Sequence, residues 1–372
     1  MQIYKKIENM MSEEKIGVSQ HNVSINISSN NARLVKYARE HLRGLARQPL
    51  AAPDIDVRCQ WIEQEWQPEQ NPFEGGNGYS FYGKRMLGKR NELIWLNTLR
   101  MKGLQLRFRR ENGRFLFDIV YSYHPKRENI ESQADDEYRK YFNLMNYIFY
   151  YPLFWYLENF RNWTPLHASA LDTAYGGVLV GGPGGVGKTT TCLALLQHTG
   201  ARLISENIVL TDGQLLYPCY EPVRLNNDSI DTLSEKFSGL HKMSFPENLQ
   251  TKSLYHFDIQ NVPVAVQPTS LFMPEFSDER FIERMPSDIA VEKLLAANRL
   301  ALEIDDYYWY ASALEMTWPK VGQMHMRSKV LAMLINKAQC FTLGIDRTQG
   351  VEAVVKDIMG SMKEEFLITE NE

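Results

Sequence analysis

Cysteine is scarce in this chain. The four cysteines, Cys59, Cys192, Cys219 and Cys340, are far apart and form no C-x-x-C pair. This number and spacing give no indication of a zinc site or a disulfide framework, so neither is expected. A reducing compartment is the simpler interpretation of this pattern.

Long hydrophobic runs and an excess of one charge sign are also missing. The most apolar run, YIFYYPLFWYL at 147–157, is shorter than the roughly 18 residues that a spanning helix needs. It predicts a buried aromatic element, and the N-terminus has no signal-peptide core. The 41 basic and 45 acidic residues give a formal net charge of −4, which offers no broad attraction to nucleic acid or anionic membrane. We therefore expect a soluble cytoplasmic protein with neither kind of partner.

The first half of the chain predicts an α+β domain at 21–163 that follows a frayed polar tail at 1–20. Strands are expected at 23–28 and 54–63, with a helix at 31–46 between them. The strongest hairpin signal is at 104–123, where apolar and polar residues alternate before an Asn-Gly pair and another apolar strand follows it. The alternation predicts an antiparallel sheet packed on one side. A Gly/Asn-rich loop is expected at 64–90, and its segment NPFEGGNGYSFYGKR at 71–85 is either a substrate-binding loop or an ordinary connection.

The second half, 164–372, contains the most glycine-dense stretch, GGPGGVGKTTT at 181–191. It matches the phosphate-loop pattern G-x-x-x-x-G-K-(S/T), and the required strand, GGVLV, and helix, TCLALL, flank it. Glycines let backbone N–H groups point at an anion, and the free amides of the following helix add to them. The expected phosphate-binding residues are Gly182, Gly184, Gly185, Val186, Gly187, Lys188, Thr189 and Thr190. Lys188 would reach the β- and γ-phosphates, and the Thr189 hydroxyl would bind Mg²⁺.

The acidic partner of this loop is predicted to be Glu206. An ordinary P-loop NTPase places its Mg²⁺-binding acid after a distant apolar strand. The distant candidates here are poor, since TSLFMPEF (269–276) contains Pro274 and ALEIDD (301–306) has a helical pattern. Glu206 lies only 18 residues after Lys188, at the end of the predicted strand ARLIS. The next residues predict a hairpin, so we expect a mixed sheet with the acid beside the loop.

Two further residues are site candidates. His167 directly precedes the strands that lead to the loop. Taken by itself, it is explained equally well by a structural role, because a lone histidine is usually a hydrogen-bonded structural residue. Arg224, in EPVRLNN after the hairpin, could clamp phosphate or substrate, or could be an ordinary surface arginine.

The order PLHASAL, GGVLVGGPGGVGKTTTCLAL, LISENIVL resembles the P-loop kinase domain of HPr kinase/phosphorylase. It resembles still more the shorter bacterial relatives with an appended N-terminal region. The resemblance covers residues 160–225 well and is diffuse from there to about 360, where CFTLGID sits like a final strand. It implies the mixed-sheet fold shared with phosphoenolpyruvate carboxykinase, with ATP and Mg²⁺ as cofactors. It also implies a kinase for a serine hydroxyl on a protein or peptide partner.

Position by position, the resemblance implies that Lys188 and Thr189 bind phosphate and Mg²⁺, and that His167 is the active-site histidine. The family's Asp-Asp pair falls at Glu206 and Asn207. Glu206 would be the catalytic base and a metal ligand, and Asn207 would offer the metal a neutral carbonyl oxygen. The bifunctional members have a Glu where Thr190 stands here, which argues against phosphorolysis.

Three functions therefore follow from the sequence. The first is an ATP-dependent kinase that acts on a hydroxyl. The second is an NTPase that switches conformation on hydrolysis, which the lack of a distant Mg²⁺-binding strand disfavours. The third is an ATP-binding pseudokinase, which the intact Lys188-Thr189 pair disfavours. The phosphate acceptor and the oligomeric state, including a homo-oligomer, stay open.

Overall fold

A computed structural model describes residues 14–65, 67, 71–73, 78–83, 85–98, 101–124, 133–226, 240–243 and 252–371. The protein is a mixed α/β structure with mixed and antiparallel sheets, which agrees with the α+β prediction. The chain forms two compact units. The first comprises 1–156, 245–249 and 306–321, and the second comprises 157–244, 250–305 and 322–372.

The first unit is built on a nine-stranded sheet with the order β3-β1-β2-β4-β9-β8-β7-β6-β5. Its strands are β1 Glu14–Gln20, β2 Val23–Ser29, β3 Ala46–Arg47, β4 Ile55–Glu63, β5 Ser80–Gly83, β6 Met86–Lys89, β7 Glu92–Trp95, β8 Leu104–Glu111 and β9 Arg114–Tyr123. Helix α1 is Ala32–His41 and helix α2 is Gln133–Met145; a π-helical turn, Asn146–Tyr150, then leads into α3, Tyr151–Arg161.

The hairpin prediction at 104–123 is confirmed. Strands β8 and β9 pair antiparallel, and Asn112 and Gly113 both have the positive φ that a tight hairpin turn requires. The aromatic run at 147–157 is also confirmed as buried, and its rings pack within this unit against residues such as Tyr307 and Tyr310.

Three expectations for the first unit need correction. Residues 14–20, predicted to fray, form strand β1, because a tight turn at His21 and Asn22 pairs them with β2. The sheet is mixed rather than antiparallel, since β4 runs parallel to both β2 and β9. Part of the predicted loop at 64–90 forms β5 and β6; residues 74–77 and 84 of the substrate-loop candidate lie outside the described residues.

The second unit has a six-stranded sheet with the order β13-β11-β12-β19-β21-β20. The same unit also has two three-stranded sheets, with the orders β10-β14-β15 and β16-β18-β17. The strands of the three sheets are β10 Thr164–His167, β11 Ser169–Thr173, β12 Gly176–Val180, β13 Arg202–Ser205, β14 Ile208–Thr211, β15 Leu216–Pro218, β16 Val223–Asn226, β17 Leu240–Lys242, β18 Lys252–Phe257, β19 Pro268–Phe276, β20 Phe281–Arg284 and β21 Gln339–Ile345. Its helices are α4 Lys188–Thr199, α5 Ser287–Leu300, α6 Leu302–Glu315, which continues into the first unit, α7 Gln323–Ile335 and α8 Val351–Asn371.

The central strands β12, β19 and β21 are parallel to one another, and β11, β13 and β20 are antiparallel neighbours. The predicted mixed sheet is thus confirmed, and the glycine loop leaves the carboxyl end of its parallel strand β12. In sheets of this kind, that edge is where ligands bind. Leu171 of β11 and Val178 and Val180 of β12 are buried in one core with residues 192–195 of α4 and apolar residues of α8. Ala170 and Leu179 of the same strands are buried in a second core with residues of α5 and α7.

The division of the chain differs from the predicted boundary near Trp163. Residues 157–163 belong to the second unit, where Glu158 accepts two hydrogen bonds of 2.7 Å from Arg327 and Trp163 stacks on Tyr217. Residues 306–321 return to the first unit. Within the described part of the chain, every helix is too short or too polar to cross a membrane.

Candidate functional site

The glycine loop joins β12 to α4 and is shaped by close packing at its base. A Cβ on Gly181 would lie 2.7 Å from the Met273 sulfur and 2.8 Å from Leu294, so a larger residue there would require these two side chains to move. Gly182, Gly185 and Gly187 have positive φ angles, which curl the loop. Residues 183–185 are exposed, so their backbone is accessible to a ligand.

Lys188 is the first residue of α4 and turns back over the loop. Its side chain is 8 % exposed, and Nζ donates hydrogen bonds to the carbonyl oxygens of Gly182 at 2.9 Å and Pro183 at 2.8 Å. Burial lowers the pKa of Lys188 to about 8, partly offset by the charges of Glu206 and Glu303. The ammonium group is therefore held at the mouth of the loop.

Thr189 and Glu206 are in direct contact. The Thr189 hydroxyl donates a short hydrogen bond to Glu206 Oε1, and the backbone oxygen of Glu206 accepts a 2.5 Å bond from the buried Ser169 hydroxyl. The contact arises because β13, which ends at Ser205, pairs with β11, and β11 pairs with the strand that precedes the loop. Glu206 thus lies beside the loop, at the position that the sequence predicts.

These two oxygen-bearing side chains suit Mg²⁺, which prefers hard oxygen ligands. In nucleotide sites Mg²⁺ is typically held by one or two carboxylates together with phosphate oxygens and water. No group of three or more His, Cys, Asp or Glu side chains placed to hold a metal ion occurs among the residues that the structure describes. The Thr189–Glu206 pair is thus chemically fitted to contribute to a Mg²⁺–nucleotide site.

Asn207 is directed toward a second carboxyl group. Its side-chain nitrogen donates a 2.7 Å hydrogen bond to Glu221 Oε1. Burial raises the pKa of Glu221 to about 8, although Arg224 and the Asn207 hydrogen bond act in the opposite direction. The sequence indicated Asn207 but not Glu221, whose one available signal is its place three residues before Arg224.

His167 lies on β10, paired with Ile208 of β14. Burial, and next the charge of Lys188, lower its pKa to about 4, so the ring is neutral at physiological pH. Its Nδ1 is buried and has no hydrogen-bond partner among the described residues. The backbone N–H of His167 donates a 2.8 Å hydrogen bond to Asn298 Oδ1.

Arg224 is half-buried on β16 and forms a salt bridge of 2.9 Å with Glu303. Burial would lower its pKa, but the charges of Glu303, Glu221 and Glu206 raise the pKa of Arg224 overall. The pKa of Glu303 is lowered, because Arg224 outweighs the effect of burial. Arg224 is therefore a charged residue of the same electrostatic cluster and not an isolated surface arginine.

The structure thus brings the predicted residues into one cluster of the second unit. Lys188, Thr189 and Glu206 adjoin the loop, while Asn207, His167 and Arg224 are linked to them by hydrogen bonds or charge. Val186 and Thr190 are half-buried beside Lys188, and Gly184 is exposed at the tip of the loop. Three members were missed from the sequence, Glu221, Asn298 and Glu303, and the last two have no local motif.

The cluster can bind a polyanion and accept a proton. The exposed loop, Lys188 and Arg224 provide the positive partners, and Glu206 provides a carboxylate next to them. The chain matches no known protein-family model, and no curated protein is significantly similar to it.

Proposed function

We propose that the second unit is a P-loop kinase domain of the HPr kinase and phosphoenolpyruvate carboxykinase type, which transfers the γ-phosphate of Mg²⁺-ATP to a hydroxyl group. The observation that carries the proposal is the hydrogen bond from Thr189 to Glu206 at the N-terminus of α4. It places the hydroxyl that follows the loop lysine on a carboxylate, as a Mg²⁺-nucleotide site requires. The acceptor we propose is a serine on a protein or peptide partner.

In this function the loop binds the phosphates through its backbone N–H groups and the amides of α4. Lys188 exchanges its bonds to Gly182 and Pro183 for bonds to the β- and γ-phosphates. Arg224 adds a second positive charge at the transferred group. Thr189 and Glu206 would hold Mg²⁺, which would neutralise part of the charge on the phosphates.

Glu206 accepts the proton of the attacking hydroxyl group. A general base must lie within hydrogen-bond reach of that group, and Glu206 already lies beside Thr189 at the loop. His167 lies in the same cluster as a neutral ring and so adds no charge near the phosphates. Together these residues favour transfer of a phosphoryl group over binding alone.

The proposal is tested with γ-labelled Mg²⁺-ATP and soluble cell protein as the source of acceptor. The label should appear on protein serine in the presence of the parent protein, and should be lost with both Lys188→Met and Glu206→Gln. Release of free phosphate without protein labelling would instead show a nucleotide hydrolase. Binding of ATP without either product would show a nucleotide-binding module, and absence of ATP binding would refute the site.

A further inference from the structure

The corner between helices α5 and α6 contains two polar side chains that face the proposed site. Asn298 is near the end of α5, and Glu303 is in the first turn of α6, five residues later. Neither belongs to the glycine loop or to the hairpin that carries Glu206. Each contacts a different candidate residue of the site.

Asn298 holds the strand that carries His167. It is 1 % exposed, its Oδ1 accepts the backbone N–H of His167 at 2.8 Å, and its Nδ2 donates to the Pro165 carbonyl at 3.3 Å. One partner is an obligatory donor and the other an obligatory acceptor, so the orientation of the amide is fixed. The side chain therefore pairs with β10 as a neighbouring strand would, and sets the place of His167.

Glu303 restrains Arg224 in a comparable way. The two side chains form a 2.9 Å ion pair, and each is about one-quarter exposed. An unrestrained arginine would lose rotamer freedom on binding a phosphate, and a fixed carboxylate partner reduces that loss. A partly buried carboxylate can thus keep the guanidinium group near the site before any ligand arrives.

We propose that the α5–α6 corner is a positioning element of the nucleotide site, in which Asn298 fixes His167 and Glu303 fixes Arg224. This inference rests on the proposed function, because it assumes that Arg224 contacts the phosphates. Asn298 and Glu303 themselves are positioning residues and need not touch the nucleotide.

The Glu303 part is tested by titration calorimetry with Mg²⁺-ATP. Arg224→Met should weaken binding about 10-fold, and Glu303→Gln should weaken it by about 3- to 10-fold. In the Arg224→Met background, Glu303→Gln should have no further effect, since its partner is already absent. Asp172→Asn, which breaks the Asp172–Arg202 pair elsewhere in this unit, should leave affinity within about 2-fold of the parent.

The Asn298 part is tested by residue-resolved hydrogen exchange without nucleotide. Asn298→Ala should accelerate exchange of the His167 amide at least about 10-fold, while the Leu179 amide of β12 keeps the parent's rate. Asn298→Asp retains an oxygen for the His167 N–H, so it should preserve much of that protection. This second variant remains informative if Asn298→Ala does not fold.

The possible failures are distinguishable. If the parent binds neither Mg²⁺-ATP nor Mg²⁺-tripolyphosphate, the nucleotide site is wrong and the inference falls with it. If the parent binds ATP but Glu303→Gln binds equally well, or weakens binding equally in both backgrounds, only the inference on Glu303 is overturned. Unchanged exchange at His167 in folded Asn298→Ala would overturn the inference on Asn298.

Discussion

Mild acid should destabilise the second unit through His167. Burial and the charge of Lys188 lower the pKa of this ring to about 4 in the folded protein, whereas the value in an unfolded chain is about 6.5. Between these values the unfolded state binds a proton that the folded state does not. The stability provided by the neutral ring is therefore complete above about pH 6.5 and declines as the pH falls toward 4.

The size of the effect follows from the two pKa values. A difference of about 2.5 pH units is equivalent to about 3.4 kcal/mol of unfolding free energy once the pH is well below 4. Between pH 7 and pH 5 only part of this appears, and the expected loss is about 2 kcal/mol. Solvent should reduce this contribution to the unfolding free energy only slightly, because His167 is 8 % exposed.

The measurement is urea unfolding at pH 7 and pH 5, observed by ¹⁹F NMR on protein labelled with 5-fluorotryptophan. Trp163 reports on the second unit, and the other six tryptophans fall within the ranges of the first. The parent should lose about 2 kcal/mol more than His167→Gln over this interval. His325→Gln, which removes an exposed histidine of the same unit, should behave like the parent. Equal losses for the parent and His167→Gln would refute the reasoning.

Three further predictions concern the second unit. Lys188→Met should weaken Mg²⁺-ATP binding at least about 10-fold in calorimetry, and unchanged affinity in a folded variant would contradict the phosphate-loop assignment. Glu206→Gln should reduce single-turnover phosphoryl transfer by about 10² or more while ATP affinity stays within a few-fold; equal rates would exclude Glu206 as the base. Arg327→Met should remove the guanidinium partner of the buried Glu158 carboxylate, which also accepts a hydrogen bond from the Thr164 hydroxyl, and should cost about 3–5 kcal/mol in chemical unfolding. A loss below about 1 kcal/mol would show that water replaces the arginine.

The glycine loop and its flanking strand and helix were predictable because their signals are local. Gly187 directly precedes α4 and Gly200 directly follows it, with positive φ angles of 88° and 67°. Both glycines mark the ends of the helix in the sequence. The strand that ends before Glu206 and the hairpin after it were equally clear from short apolar runs and a turn. Local pattern is sufficient where one motif fixes strand, loop and helix together.

The first unit was less predictable because its sheet depends on pairings that are distant in sequence. The alternation in 104–123 predicts a hairpin but cannot show that β9 also pairs with β4. The parallel pairing places β4 between β2 and β9 and makes the sheet mixed. The second unit starts at 157 rather than near the predicted Trp163 for a similar reason, because the ion pair of Glu158 with Arg327 joins residues 169 positions apart.

The departure from an Asp-Asp pair at 206 and 207 has a structural explanation. The longer side chain of Glu206 still reaches the Thr189 hydroxyl, so the extra methylene does not separate the carboxylate from the loop. Although Asn207 is neutral, a carboxyl group lies next to it, since Glu221 Oε1 accepts a 2.7 Å hydrogen bond from its side-chain nitrogen. Burial raises the pKa of Glu221 to about 8, so this carboxyl group is largely protonated at neutral pH, and a carboxylate at 207 would raise its pKa further. Asn207 donates a hydrogen bond to this carboxyl group, and its lack of charge is not by itself a sign of lost chemistry.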